Sequence, residues 1–111
     1  MSVVKYQEIT PQQVRPGLER RIICTSSLMT VIVDFTDGPW KEAEPFHSHL
    51  HEQTSYVAYG ELIFYCEGEA DQHLRTGDMF AVSSGRSHTI KILTPVVRLI
   101  DSFNPIRNDF F

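Results

Sequence analysis

A chain of 111 residues has room for one hydrophobic core and is too short to divide into two domains. Its hydrophobic fraction of 41% and charged fraction of 22% describe a globular rather than a disordered polymer. A formal charge of -4 and a pI near 5.6, with no basic cluster larger than Arg20-Arg21, argue against a nucleic-acid partner. They leave room for a small anion held by a local cation.

The first 20 residues, with Pro11, Pro16 and Gly17, read as an irregular or edge-strand arm. From there the chain is a series of short runs rich in Val, Ile, Phe, Tyr and Thr, each closed by Gly, Pro, Asp or Ser. Strands are expected at 21–25 and 28–36, with Asp37-Gly38-Pro39 breaking the pattern. Further strands are expected at 53–58 and 61–67, separated by Tyr59-Gly60, and at 70–74 after Glu67-Gly68. Thr76-Gly77-Asp78 leads into 79–82, the loop 83–87 delivers His88 to a strand at 89–93, and 96–103 is the last strand. Asn104-Pro105 then ends regular pairing and leaves a tail, 104–111, in which Phe110-Phe111 should pack against the barrel or a second subunit. This many short strands in one small domain must bury their inner faces and edges, so the expected fold is all-β, a closed barrel or jelly roll spanning 1–111.

The segment Pro45-Phe46-His47-Ser48-His49-Leu50-His51-Glu52-Gln53 holds three of the five histidines within five residues. Read as one extended strand, it puts His47, His49 and Gln53 on a common face, with imidazole nitrogens and an amide oxygen suited to a divalent metal. His51 shares that parity but would crowd its neighbours, and His73 reads as a surface histidine. Phe64, Phe80 and Met79 are expected in the core or lining a pocket, Tyr56 outside, and Arg86 in a solvated loop. No window approaches the ~20 apolar residues of a membrane span, and no secretory signal opens the chain. Cys24 and Cys66 are therefore expected as buried, reduced thiols of a cytoplasmic protein rather than as a disulfide.

Together with Gln53-Thr54-Ser55-Tyr56-Val57-Ala58-Tyr59-Gly60 and Gly77-Asp78-Met79-Phe80-Ala81-Val82-Ser83-Ser84-Gly85-Arg86-Ser87-His88, the histidine segment resembles the two motifs of the cupin family. The resemblance implies a double-stranded β-helix, or jelly-roll barrel, and one divalent ion (zinc, nickel, manganese or iron) held by His47, His49, Gln53 and His88. Ser83 stands where the second motif usually carries Pro, and no Gly lies six residues before His47; both departures touch loops and spare the ligands. Gln53 in place of the commoner Glu removes a negative charge from the ligand set and favours an electrophilic, non-redox ion.

The tail, Asp101-Ser102-Phe103-Asn104-Pro105-Ile106-Arg107-Asn108-Asp109-Phe110, resembles the D-x-F-x-P-x-R-x-D-[FY] ending of small cupins that act on unsaturated uronates released by pectin and alginate lyases. That resemblance implies a homodimer and a small anionic sugar-acid substrate, a 4,5-unsaturated monouronate opened to its keto form. Asp101 would move the proton, Arg107 would hold the carboxylate and Phe103 would wall the site. Asp101 and Arg107 could instead form a structural ion pair, with Phe103 as plain core. Alternative classes for the same ligand set are a dioxygenase, another small-acid isomerase, or a non-catalytic sugar-binding cupin.

Overall fold

In the computed structural model, which describes residues 2–111, β-branched and aromatic runs pair into antiparallel strands and the glycines and prolines fall between them. In chain order the strands are β1 (Gln12–Arg15), β2 (Leu18–Cys24), β3 (Met29–Phe35), β4 (Glu52–Tyr59), β5 (Leu62–Cys66), β6 (Gln72–Leu74), β7 (Met79–Val82), β8 (His88–Ile92) and β9 (Val97–Asn104). One turn of 3-10 helix, Asn108–Phe110, closes the tail. None of the helical structure among the described residues is long and apolar enough to cross a membrane.

The strands form a six-stranded sheet, β1-β2-β3-β9-β4-β7, and a three-stranded sheet, β6-β5-β8. The inner faces meet in a core where Met29, Val31, Val57, Leu62, Ile92 and Val97 are fully buried. Alternation decides which side chains enter it. On β9, Val97, Leu99, Asp101 and Phe103 point inward; on β4, Gln53, Ser55 and Val57 do the same. Gly60, with φ +92°, makes the turn between β4 and β5, where a Cβ would run into the Val96 carbonyl.

Several expectations change. Within residues 12–20, β1 is the edge strand that the arm reading allowed, but β2 begins at Leu18 rather than Arg21, because Leu18, Arg20 and Ile22 continue the inward alternation opposite Phe35, Val33 and Val31. Residues 2–11 form the arm proper. Tyr6 ties it down, its hydroxyl accepting a 2.7 Å hydrogen bond from Arg98 and its ring lying under Arg21. Both arginines also bind the buried Asp34, at 2.6 Å and 3.2 Å. Met79 lies on the outer face of β7 and is 73% exposed, whereas Phe64 and Phe80 stack in the core with ring centroids 4.3 Å apart. Both cysteines are free, but Cys24, at the end of β2, is exposed; only Cys66 is buried.

The histidine segment is not one strand. Residues 38–47 run along the free edge of β8, through Trp40 N–H to Ile92 O (2.9 Å) and a reciprocal pair between His47 and His88 (3.0 and 2.9 Å). The chain then bends at Leu50-His51 and enters the other sheet as β4. Ligand-type residues thus arrive from both sheets.

Leu62 is fully buried in the layer between the sheets. Leu62→Ala should lower the unfolding free energy by about 2–5 kcal/mol, measured by urea denaturation. Leu50→Ala, on a residue 81% exposed, should change it by no more than about 0.5 kcal/mol.

Candidate active site

Inward-facing polar side chains gather at one end of the barrel. A cavity of about 150 Å³ there is lined by His47, Gln53, His88, Asp101, Phe103 and Arg107, together with Arg20, Phe110 and apolar side chains of β2, β3 and β9. Each of His47, His49 and His88 offers a ring nitrogen, and the three nitrogens lie within 4.8 Å of one another. Their convergence follows from the backbone: the His47–His88 bridge sets two rings side by side with centroids 4.3 Å apart, and Gly85 N–H binds the His49 carbonyl at 2.8 Å.

The donor chemistry fits a cation. His49 Nδ1 lies 2.8 Å from the His51 carbonyl and His88 Nδ1 lies 2.9 Å from the Arg86 carbonyl. A carbonyl only accepts, so each Nδ1 carries the proton and each neutral ring is left with a lone pair on Nε2. His49 Nε2 then faces Gln53 Oε1 at 3.2 Å. Two acceptors at that separation repel unless a positive group lies between them, and a metal ion meets this need for both. Burial lowers the His88 pKa to about 4, and burial followed by the His49 and Arg107 charges lowers that of His47. Both rings are therefore neutral and able to ligate at pH 7.

Asp101 is reached from this cluster by a hydrogen-bonded line. Gln53 Nε2 donates to Ser55 Oγ at 2.9 Å, and Ser55 Oγ donates to Asp101 Oδ1 at 2.6 Å. Burial raises the Asp101 pKa to about 6, against the opposing effects of the Ser55 hydrogen bond and the Arg107 charge. An aspartate that exchanges its proton near neutrality is suited to general acid–base work.

The partner of Asp101 is thus Ser55, and the alternative ion pair between Asp101 and Arg107 is not made. Arg107 reaches Asp109 instead, through Nε (3.3 Å) and Nη2 (2.8 Å), while its guanidinium stacks on Phe110 and Phe103 at 4.5 and 5.3 Å from their centroids. Phe103 is buried, with its ring 6.0 Å from that of His49, so it forms the wall between imidazoles and tail. Phe110 packs on Phe103 at 5.6 Å, whereas Phe111 is exposed. His51 turns away to the Pro105 carbonyl, His73 binds Glu61, and Arg86 is held by Glu67 and Glu69. Two residues of the site escaped the sequence reading: Arg20, which lines the cavity, and Ser55, which joins Gln53 to Asp101. Both were signalled by alternation, in Gln53-x-Ser55-x-Val57 and Leu18-x-Arg20-x-Ile22.

A double-sheet barrel with histidines converging at one end defines a cupin, and the family model described as Cupin domain matches residues 35–101: the chain belongs to the cupin family. It is similar to the pectin degradation protein KdgF of Dickeya dadantii (strain 3937), at 35% identity over 89% of this chain and 88% of the relative. Among solved structures it resembles KdgF from Halomonas sp., with 34% identity, TM-score 0.84, and coverage of 96% of this chain and 97% of the other. An RmlC-like cupin from Shewanella frigidimarina NCIMB 400 superposes with TM-score 0.85 at 31% identity, covering 97% and 94% of the two chains.

The Asp101 pKa sets a pH dependence of stability. The folded protein holds this proton up to about pH 6 while the unfolded chain releases it near 3.8, so stability from this group falls as pH rises through that window. His88 acts oppositely: its folded pKa of about 4 lies below the ordinary 6.5, so its contribution is lost as pH falls through that range. In metal-free protein, Asp101→Asn should remove the first of these slopes and keep the second. The variant should exceed wild type by up to about 3 kcal/mol at pH 7, the difference closing below pH 4, as measured by urea melts across pH.

Proposed function

We propose that the protein opens the ring of a 4,5-unsaturated monouronate of the kind that pectin and alginate lyases release, giving the open-chain keto acid. The observation that carries this reading is the hydrogen-bonded line from Gln53, beside the imidazole cluster, through Ser55 to a buried carboxyl poised to exchange its proton. The similarity to pectin degradation proteins supports the substrate class.

The reaction is an isomerisation. Opening the cyclic hemiacetal gives up the anomeric hydroxyl proton and breaks the bond between carbon 1 and the ring oxygen, forming the aldehyde and leaving an enolate at the former double bond; a proton added at carbon 4 then gives the ketone. Protons lost and gained balance, so one carboxyl that gives and takes a proton is sufficient. Asp101 is that group in this reading. Ser55, donating to Oδ1, holds the carboxyl in place and leaves Oδ2 to face the substrate. Phe103 and the apolar lining keep water from the enolate.

His47, His49, His88 and Gln53 would hold one divalent ion, which when bound supplies Lewis-acid polarisation of substrate oxygens. Arg107, braced by Asp109, adds a fixed positive charge to which the substrate carboxylate is drawn. This set needs no organic cofactor. Catalysis within a homodimer in the cytoplasm is part of the same proposal.

Purified protein given an unsaturated monouronate should abolish its ultraviolet absorbance, and Asp101→Ala should lower kcat by roughly 10²–10⁴-fold with KM within about threefold. Stripping divalent ions with a chelator should remove activity, and adding zinc, nickel or manganese should restore it. Equal background rates for wild type and Asp101→Ala would dismiss the proposal. Oxygen consumption with bound iron would move the protein to the dioxygenase class.

A further inference from the structure

We propose that Arg20 is a second anion-binding residue of the cavity and supplies the two-pronged fork for the substrate carboxylate; the inference deepens the uronate reading and rests on it. Arg20 lies on β2 between Leu18 and Ile22 and opposite Val33, which puts its side chain on the inner face of the barrel. An arginine at an inward position among apolar neighbours gives up hydration, and it lines the same cavity as His47, His88 and Asp101.

Its guanidinium is held in place but left with free donors. Nε donates to Gln12 Oε1 at 2.8 Å, and the group lies over the Phe110 ring at 3.7 Å from the centroid. Gln12 also donates from Nε2 to the Phe110 carbonyl at 2.8 Å, so one side chain orients both the arginine and the tail against which it stacks. Among the described residues, the Nη1 and Nη2 groups of Arg20 donate to no protein atom and form no ion pair. They present a planar pair of donors whose orientation is already fixed, which is the geometry a carboxylate accepts bidentately.

Arg107 is differently placed. Asp109 occupies its Nε and Nη2 edge and neutralises its charge, so the side-on fork is filled and only the Nη1–Nη2 end remains. The two guanidiniums flank Phe110, at 3.7 and 4.5 Å from its centroid. Their mutual repulsion, after burial, lowers the Arg20 pKa, with Asp109 opposing. An anion between them relieves that repulsion. The division of labour that follows is Arg20 as the fork without an ion-pair partner and Arg107 as a braced group whose charge Asp109 already offsets.

The test compares an acid with its neutral counterpart. Zinc-loaded full-length protein is titrated by NMR with galacturonate and with galactose. Wild type should bind the acid at least tenfold more tightly; Arg20→Gln, which keeps a donor for Gln12, should lose most of that preference, and Arg20→Lys should fall between. With an unsaturated monouronate, Arg20→Gln should raise KM tenfold or more and leave kcat within threefold. A preference for the acid that Arg20→Gln leaves intact, or a wild type that binds acid and neutral sugar alike, overturns the inference. Should Arg20→Gln fail to fold, Arg20→Lys carries the comparison, and full wild-type preference in it counts against the fork. If wild type binds the acid but does not turn over the unsaturated monouronate, the uronate reading fails while the acid preference still decides the role of Arg20.

Discussion

The reciprocal hydrogen bonds between the main chains of His47 and His88, at 3.0 and 2.9 Å, hold the site together. They pin residues 38–47 to the outer edge of β8 and so extend the smaller sheet by one irregular strand. From there the chain has only Ser48 to His51 in which to cross to the larger sheet and begin β4. The crossing delivers His49 into the gap between the sheets and Gln53 to the inner face of β4. Were the bridge absent, two imidazoles would belong to a loop with no fixed partner, and the donor set would have to be ordered at the moment of binding. Preorganisation of this kind is what makes a short polar cluster useful inside an apolar barrel.

The same burial acts on different groups with opposite chemical results. The His47 and His88 imidazoles lose their proton, so that they are ligands rather than cations, while the Asp101 carboxyl keeps its proton to about pH 6. Two guanidiniums are stacked on aromatic rings and hydrogen-bonded to Gln12 and Asp109, which fixes their positions. One cavity therefore contains neutral donors, a carboxyl that titrates at about pH 6 and fixed positive charge, without an ion pair between Asp101 and Arg107. Phe103 and Phe110 separate these functions by filling the space between them.

Much of this was legible in residue order because strand alternation and turn chemistry are local. β4, β7 and β9 fall within a residue or so of where the pattern places them, and the two motifs single out the residues that converge. What alternation along one segment could not convey was a change of sheet: His47, His49 and Gln53 share parity, yet they meet because the chain bends at Leu50-His51, not because they line one strand. Met79 was misassigned since an apolar residue beside Phe80 reads as core until parity with β4 puts it outside. Arg107 presented a similar difficulty. Its competing partner, Asp109, lies two residues away, and only the folded tail shows that this contact takes the Nε–Nη2 edge. Arg20 was overlooked because prolines nearby made its strand look like an arm.

The decisive property of this cavity is whether it places a proton on one carbon of an unsaturated uronate. Conversion in deuterium oxide, followed by NMR at early times, measures it directly. One deuteron at carbon 4, on a single face, is the result expected of a fixed Asp101 carboxyl. Incorporation on both faces equally, or consumption no faster than in buffer, would contradict it.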